Sequence, residues 1–487
     1  MHIAFAASEC VPFSKTGGLA DVIGSLPPAL AHLGHKVTVF LPKYRTTRLD
    51  NPRKVISSIT VPFDDHYRFC SVLDGGERAG VQFYFIDYPA YFDRDGLYGG
   101  PLGDYRDNAE RFALFSRAVL EASKFLGTPD VFNCHDWQTA LVPILLKTVY
   151  EEDPAFAKTP CVLTIHNLGY QGIFPAEILP LLMLSWDLFT MSKLEFYGKV
   201  NFLKGAIALA DYVTTVSRKY SQEIQTAEYG FGLEGVLRAR GGTLTGIVNG
   251  VDYGEWSPES DKHLAARYSA TNLSGKAECK SDLLREFGLP QNMHSPLAGM
   301  VSRFVPQKGF DLIQQVGDRL AREDLMLVVL GSGESEYEEM FKRLNRQYPQ
   351  KVAAKVAYDN ALAHKIEAGS DLFLMPSHYE PCGMNQIFSL RYGTVPVVRA
   401  VGGLDDTVEQ FDPRTMKGTG FKFREYTGEA LLATVKAAIS LYQNSDVWQT
   451  LMRNGMAQDF SWSNSAREYV KVYERARQLK QQTGTSG

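Results

Sequence analysis

The sequence predicts an α/β protein made of two parallel-sheet halves, and three features carry that prediction. Short apolar runs rich in β-branched residues alternate with helical patterns along the chain. Many of these runs stop at Gly, Asn, Asp or His, as buried strands do where they turn toward a ligand-binding edge. A length of 487 residues exceeds what one core organises, and a prior of about 150 residues per domain allows two or three.

In the first half, Ile3 to Ala7, Lys36 to Leu41, Val81 to Asp87, Val131 to Cys134, Cys161 to Ile165 and Tyr212 to Val216 read as strands. In the second half, Gly246 to Val248, Leu297 to Ser302, Leu325 to Leu330, Val352 to Ala357, Leu372 to Met375 and Val395 to Arg399 do so. The boundary falls just before Gly241-Gly242, giving domains over 1–240 and 241–460. Ala466, Tyr469, Val470 and Tyr473 recur at i, i+3, i+4 and i+7, so a last helix over 461–480 is expected to pack on a domain surface. Residues 481–487 read as a disordered tail. The run Gly17-Gly18-Leu19-Ala20-Asp21 returns in form as Gly402-Gly403-Leu404-Asp405-Asp406, a short echo between the halves.

Composition narrows the chemistry. A net charge of -4, from 51 basic and 55 acidic residues, makes no global field for nucleic acid or anionic lipid. An anionic substrate must therefore be met by a local site. Six scattered cysteines without a Cys-x-x-Cys pair fit a reducing compartment. The start, His2-Ile3-Ala4-Phe5-Ala6-Ala7, lacks a basic flank and reads as a strand, and the longest apolar stretch falls short of the roughly 20 residues of a membrane span. The expected setting is the cytoplasm, with no membrane and no nucleic-acid partner.

Open α/β sheets bind ligands beyond the carboxyl ends of their strands, so the motifs at those ends matter most. Lys15-Thr16-Gly17-Gly18-Leu19-Ala20-Asp21 follows the first strand, where bare glycine amides and the Lys15 charge suit a phosphate, or where glycine simply serves a tight turn. The motif lacks the P-loop spacing, and Gly331-Ser332-Gly333 lacks the third glycine of a dinucleotide fingerprint, so no cofactor is implied. Ser302 to Gly309 places Arg303 and Lys308 at one helix mouth, two cations that suit a diphosphate leaving group, against the blander reading of a solvated loop. Glu380 to Gln386 puts a carboxylate at another helix start, either as a cap or as an acceptor of sugar hydroxyls. His135-Asp136-Trp137 and His166-Asn167 stand beyond first-half strands, and Asn249-Gly250-Val251-Asp252 enters the second half as a hinge turn and ligand contact.

Together with Arg391-Tyr392-Gly393, these motifs resemble the bacterial glycogen synthase and plant starch synthase family, in order from Met1 to about Tyr473. The resemblance implies the GT-B architecture, two Rossmann-like domains facing across a cleft; because the expected sugar contacts are divided between the halves, the site is expected to be complete only when they close. It implies a retaining transfer of glucose from ADP-glucose to the end of an α-1,4-glucan; no metal or other cofactor is expected, because Arg303, Lys308 and helix N-termini can neutralise the leaving diphosphate. It makes His166, Arg303, Lys308 and Glu380 the catalytic set. Lys15 and the amides of Gly17 and Gly18 become donor-side contacts, Asp21 joins the substrate-binding set, and Asp136, Asn167 and Asn249 join His166 and Glu380 around the glucosyl group. Tyr358 corresponds to the family's adenine-stacking aromatic, and the backbone near Cys382, Gly383, Met384 and Asn385 serves sugar and phosphate. Two departures stand out: Met384-Asn385 replaces a common Leu-Thr, and Phe388 occupies the position at which related retaining transferases carry a second Glu.

The rival readings are weaker. Asp93-Arg94-Asp95 has the form of a metal-binding motif, but it sits in a Pro- and Gly-rich turn. A UDP-glucose enzyme of the same architecture remains an alternative. A silent glucan-binding scaffold would need no diphosphate clamp, and no motif proposes the carboxyl pair of a glycoside hydrolase.

Overall fold

The computed structural model describes residues 1–484 other than 51, 64, 65, 101 and 102. The chain divides into two units: Met1–Val216, Ser221–Gly250 and Trp462–Gly487 form one, Ser217–Tyr220 and Val251–Ser461 the other.

Among the described residues, nine strands make the main sheet of the first unit: β1 (His2–Ala6), β2 (Lys36–Pro42), β3 (Arg53–Phe63), β4 (His66–Arg78), β5 (Val81–Asp87), β6 (Val131–His135), β7 (Cys161–Ile165), β8 (Tyr212–Thr215) and β9 (Leu244–Gly246). Their order is β9-β8-β7-β6-β1-β2-β5-β4-β3, parallel except at β3–β4 and β4–β5. β1 lies at the centre, with Ile3 opposite Val37 on one side and Val131 on the other. Strand order reverses there, so the loops after β1 and β6 open beside each other at the point where such sheets bind ligands.

One face of this sheet is covered by helix α1 (Gly18–His32). Ile3, Phe5 and Val39 share a core with Leu19, Ile23, Leu26 and Leu30 of α1 and with Ala466, Tyr469 and Tyr473 near the chain's end. Each of the buried Ile, Phe, Val and Leu side chains among these contributes about 1.5 to 3 kcal/mol. The stripe expected for the last helix therefore packs on the first unit, and Tyr473 also donates to Asn133 Oδ1 at 2.7 Å. That helix runs Trp462–Gly484, past the expected end at 480, so 481–484 are helical and only 485–487 of the expected tail lie outside the described residues.

The second unit carries β10 (Leu297–Val301), β11 (Met326–Gly331), β12 (Val352–Val356), β13 (Leu372–Met375), β14 (Val395–Arg399) and β15 (Phe421–Phe423). All pair in parallel, in the order β12-β11-β10-β13-β14-β15. This doubly wound order reverses between β10 and β13. The helix α2 (Phe310–Leu320) follows β10, and α3 (Asn385–Arg391) lies between β13 and β14.

One strand differs in membership from its expectation. The segment expected at Gly246 to Val248 in the second sheet is Leu244–Gly246, and it pairs with β8 in the first. Gly250, a few residues on, lies so close to Trp462 that a Cβ there would meet its Cα at 2.5 Å, and this close approach requires glycine. Among the described residues, no helix is long and apolar enough to cross a membrane.

Candidate active site

In the first unit, the loop after β1 folds back on its own carboxylate. Glu9 is buried, and its Oε2 accepts the amides of Thr16 and of Gly17, the latter at 3.2 Å. Its Oε1 accepts Thr16 Oγ1 at 2.6 Å and Tyr98 Oη at 2.5 Å. The Gly17 amide, expected to face a phosphate, is therefore engaged by Glu9, while Gly18 begins α1 and carries one of its N-terminal amides. A Cβ at Gly17 or Gly18 would touch no described atom within 4 Å, so packing does not demand glycine at either position. Lys15 and Asp21 form a half-exposed ion pair at 2.7 Å.

Beyond β6, Asp136 holds φ 56° and ψ -170°, a conformation costly for any residue but glycine and typical of strained functional positions. Its carboxylate accepts the His166 amide at 2.7 Å and also the Asn167 amide. Burial nonetheless dominates and, with the Glu9 charge adding to it, pushes the carboxyl up to about 7. His166 itself is driven down to about 3 by burial. Its Nε2 lies 2.9 Å from Nδ1 of the fully buried His135. Asn249 is buried, and its Oδ1 has no hydrogen-bond partner among the described residues.

In the second unit, the loops after β10 and β13 bring the next group together. Gly309 has φ +75°, and a Cβ there would lie 1.9 Å from the Pro376 carbonyl, so glycine alone lets the start of α2 approach the exit from β13. This contact sets Lys308 Nζ 2.6 Å from Glu380 Oε2, which also accepts Ser377 Oγ at 3.0 Å. Glu380 is buried and Lys308 half-buried, whereas Arg303 is exposed and makes no ion pair among the described residues. Tyr358, beyond β12, is 83% exposed.

The Cys382–Asn385 turn is braced from several sides. Gln386 Nε2 donates to the carbonyls of Cys382 and Gly383, and Asn385 Nδ2 donates to the Val301 carbonyl at 2.7 Å. Asn385 thus ties the end of β10 to the start of α3. Gly402 and Gly403 press against the Glu380 and Cys382 carbonyls, so here the glycine pair serves packing, unlike its counterpart at Gly17-Gly18.

Residues 2–239 match the starch synthase catalytic domain family, and 285–451 match the glycosyl transferases group 1 family. The chain is 70% identical over 480 residues to a glycogen synthase of Koribacter versatilis, covering 99% of both. The chain belongs to the glycogen synthase family. It is 49% identical to the glycogen synthase of an Anaeromyxobacter species, over 97% of this chain and 99% of that one. The catalytic domain of starch synthase IV from Arabidopsis thaliana, solved bound to ADP and acarbose, superposes with a TM-score of 0.89 at 34% identity, covering 98% and 99%. Sucrose-phosphate synthase from Thermosynechococcus elongatus, at 17% identity and TM-score 0.59 with 97% and 98% covered, shares the fold. This member of the glycogen synthase family is accordingly a glucosyltransferase of the GT-B type, with a parallel α/β sheet in each unit.

Within that family frame, two sequence features find a physical account. Phe388 stacks flat on Trp256, with ring centroids 3.8 Å apart and planes 3° apart, and His364 also stacks on Trp256, with centroids 3.7 Å apart. The position that related transferases give to a second Glu is thus an aromatic packing site. Asp93 and Asp95 both pair with Arg45, at 2.7 and 2.5 Å, while Arg94 pairs with Asp107. The Asp-x-Asp triplet is a charge-paired turn. Sequence reasoning missed Glu9 and the role of Tyr98; the available signal was a carboxylate directly past β1, at the reversal of strand order.

Proposed function

We propose that the protein transfers glucose from ADP-glucose to the non-reducing end of an α-1,4-glucan, with retention of configuration and release of ADP. The observation that carries this reading is the Lys308–Glu380 pair at the strand-order reversal of the second sheet, with Arg303, which makes no ion pair among the described residues, on the same loop. Arg303 and Lys308 meet the diphosphate, whose charge grows as the C1–O bond breaks, and fixed cations stabilise that growth without reorganising. Glu380 accepts sugar hydroxyls and holds the Lys308 ammonium in place. The exposed ring of Tyr358 offers a stacking face for adenine.

In the first unit, Asp136, His166, Asn167 and Asn249 take the glucosyl group. Lys15, Asp21 and the open Gly17-Gly18 surface let the donor approach closely. The acceptor hydroxyl attacks on the face from which the diphosphate leaves, and its proton departs with that leaving group. The relative of known structure that was bound to ADP and acarbose supports both substrate classes, a nucleoside diphosphate and an oligosaccharide. A reducing cytoplasmic setting suits six cysteines, all described, that form no disulfide.

The test is release of ADP from ADP-glucose in the presence of glycogen, with UDP-glucose as the rival donor. Glycogen-dependent ADP release with a higher kcat/KM for ADP-glucose is expected. Absence of release would return the chain to a binding role, and an equal or higher value for UDP-glucose would overturn the donor assignment.

A further inference from the structure

His166 does not stand alone. His135, the last residue of β6, is fully buried behind it and stacks on Phe5, with centroids 5.4 Å apart and planes 13° apart. Thr139 Oγ1 pins the His135 backbone twice, accepting its amide at 2.6 Å and donating to its carbonyl at 2.9 Å. The two imidazoles meet at 2.9 Å, His135 Nδ1 to His166 Nε2. The far nitrogen of His135, Nε2, is buried with no hydrogen-bond partner among the described residues.

Burial keeps both rings neutral, so one proton lies between the two facing nitrogens and two arrangements exist. In the first, His135 Nδ1–H donates, its Nε2 is a bare lone pair, and His166 carries its own proton on Nδ1. In the second, His166 donates from Nε2, and His135 must carry a proton on its orphaned Nε2. A buried N–H without an acceptor is rarer than an under-used acceptor and loses a full hydrogen bond. The first arrangement wins.

We infer that His135 is a positioning residue that locks His166 as the neutral Nδ1–H tautomer, so that His166 presents a fixed N–H donor to an oxygen of the bound sugar. This rests on the proposed contact between His166 and the glucosyl group. A neutral donor suits that place: an imidazolium would oppose positive charge developing at the sugar, and a bare nitrogen could not donate to a hydroxyl. A preset tautomer also spares the site a rearrangement during the reaction. The titratable group beside the pair is Asp136, whose carboxylate accepts the His166 amide.

The experiment uses the full-length enzyme labelled with ¹⁵N-histidine, with His166 assigned by its loss in His166→Gln. Long-range ¹H–¹⁵N spectra of the wild type should show His166 protonated at Nδ1 and bare at Nε2. In His135→Leu the His166 proton should redistribute to Nε2, and kcat should fall about 10- to 100-fold while KM for ADP-glucose changes less. His135→Asn, whose side-chain amide can stand in for Nδ1–H, should restore most of kcat and the tautomer. A wild-type His166 protonated at Nε2 overturns the inference even if the Leu variant does not fold. A folded His135→Leu enzyme with unchanged kcat and tautomer does so as well. If His166→Gln keeps wild-type kcat/KM, the sugar contact fails instead, and the spectra still decide the tautomer.

Discussion

Replacing Asp136 by Asn tests the site through its electrostatics and its stability together. In the fold the Asp136 carboxyl is pushed from an ordinary 3.8 up to about 7, chiefly by burial. The folded state therefore holds a proton that the unfolded chain has released between about pH 4 and 7. Stability falls as pH rises through that window and is level above it. Each pKa unit corresponds to 1.36 kcal/mol, so the ceiling on the cost of ionising Asp136 is about 4 kcal/mol. About 60% of this, roughly 2 to 3 kcal/mol, falls between pH 5 and 8. Asn carries no charge at either pH, and its Oδ1 can still accept the His166 amide. The Tm of Asp136→Asn relative to wild type should thus improve by about 4 to 8 °C on going from pH 5 to pH 8. The same substitution should lower kcat/KM about 100-fold or more, since under the proposed glucosyl contact the ionised carboxylate is the form that would stabilise positive charge at the sugar. Wild-type kcat/KM should correspondingly fall as pH drops below about 7. Differential scanning calorimetry at the two pH values and ADP-release kinetics measure both arms. Equal Tm differences at pH 5 and 8, with a flat wild-type pH profile between 6 and 8, would refute the reasoning.

The Glu9 clamp should matter in its own right: Glu9→Ala should cost about 2 to 3 kcal/mol of stability and weaken donor use, because four hydrogen bonds lose their acceptor where the loop is partly open to water. Glu9→Gln should be milder, as its NH2 can face the hydroxyls of Thr16 and Tyr98, which can turn to accept; thermal melting ranks the two, and equal Tm values would contradict the clamp. Arg303→Ala should remove about 2 to 4 kcal/mol of transition-state stabilisation with Tm unchanged. Lys308→Ala should match that kinetic loss but also lower Tm, because Glu380 is left buried without its cation; identical Tm responses in the two variants would contradict the pairing. EDTA should leave turnover intact, since Asp93 and Asp95 are held by Arg45 rather than poised for an ion; loss of activity that Mg²⁺ restores would reverse this.

The parts of the fold legible in the sequence were those whose physics is local. Cys161–Ile165, Leu372–Met375 and Val395–Arg399 are buried strands of parallel sheets, and burial on both faces writes a continuous apolar run with sharp ends. The antiparallel pair Arg53–Phe63 and His66–Arg78 was not read, because much of it faces water and its residues mix polar with apolar. Sheet membership of Leu244–Gly246 depends on pairing with a distant strand, which three residues cannot announce.

The candidate site divides in the same way. The cations, the carboxylates of Asp136 and Glu380 and the glycine pairs could be found as residue types at strand ends. Their partners could not, because they arise from tertiary contact. Glu9 reaches Thr16 only once the loop has folded back. The carboxylate of Glu380 meets Lys308 across 72 residues of sequence. His135 finds His166 only because β6 and β7 run in register, with His135 opposite Thr164.

The placement of the last helix sets an order of events during synthesis. Trp462–Gly484 supplies Ala466, Tyr469 and Tyr473 to the core that holds Ile3, Phe5 and α1, so that core is completed only when this helix arrives. Nearly the whole second unit leaves the ribosome in between and, being almost continuous in sequence, can fold as it emerges. A nascent chain that has reached Ser461 therefore carries one nearly complete unit and one whose central strand still shows an apolar face to its surroundings. In that interval the early half needs a chaperone or rapid completion. A stop codon or a frameshift just before Trp462 would discard no proposed substrate contact and still yield a protein prone to aggregate.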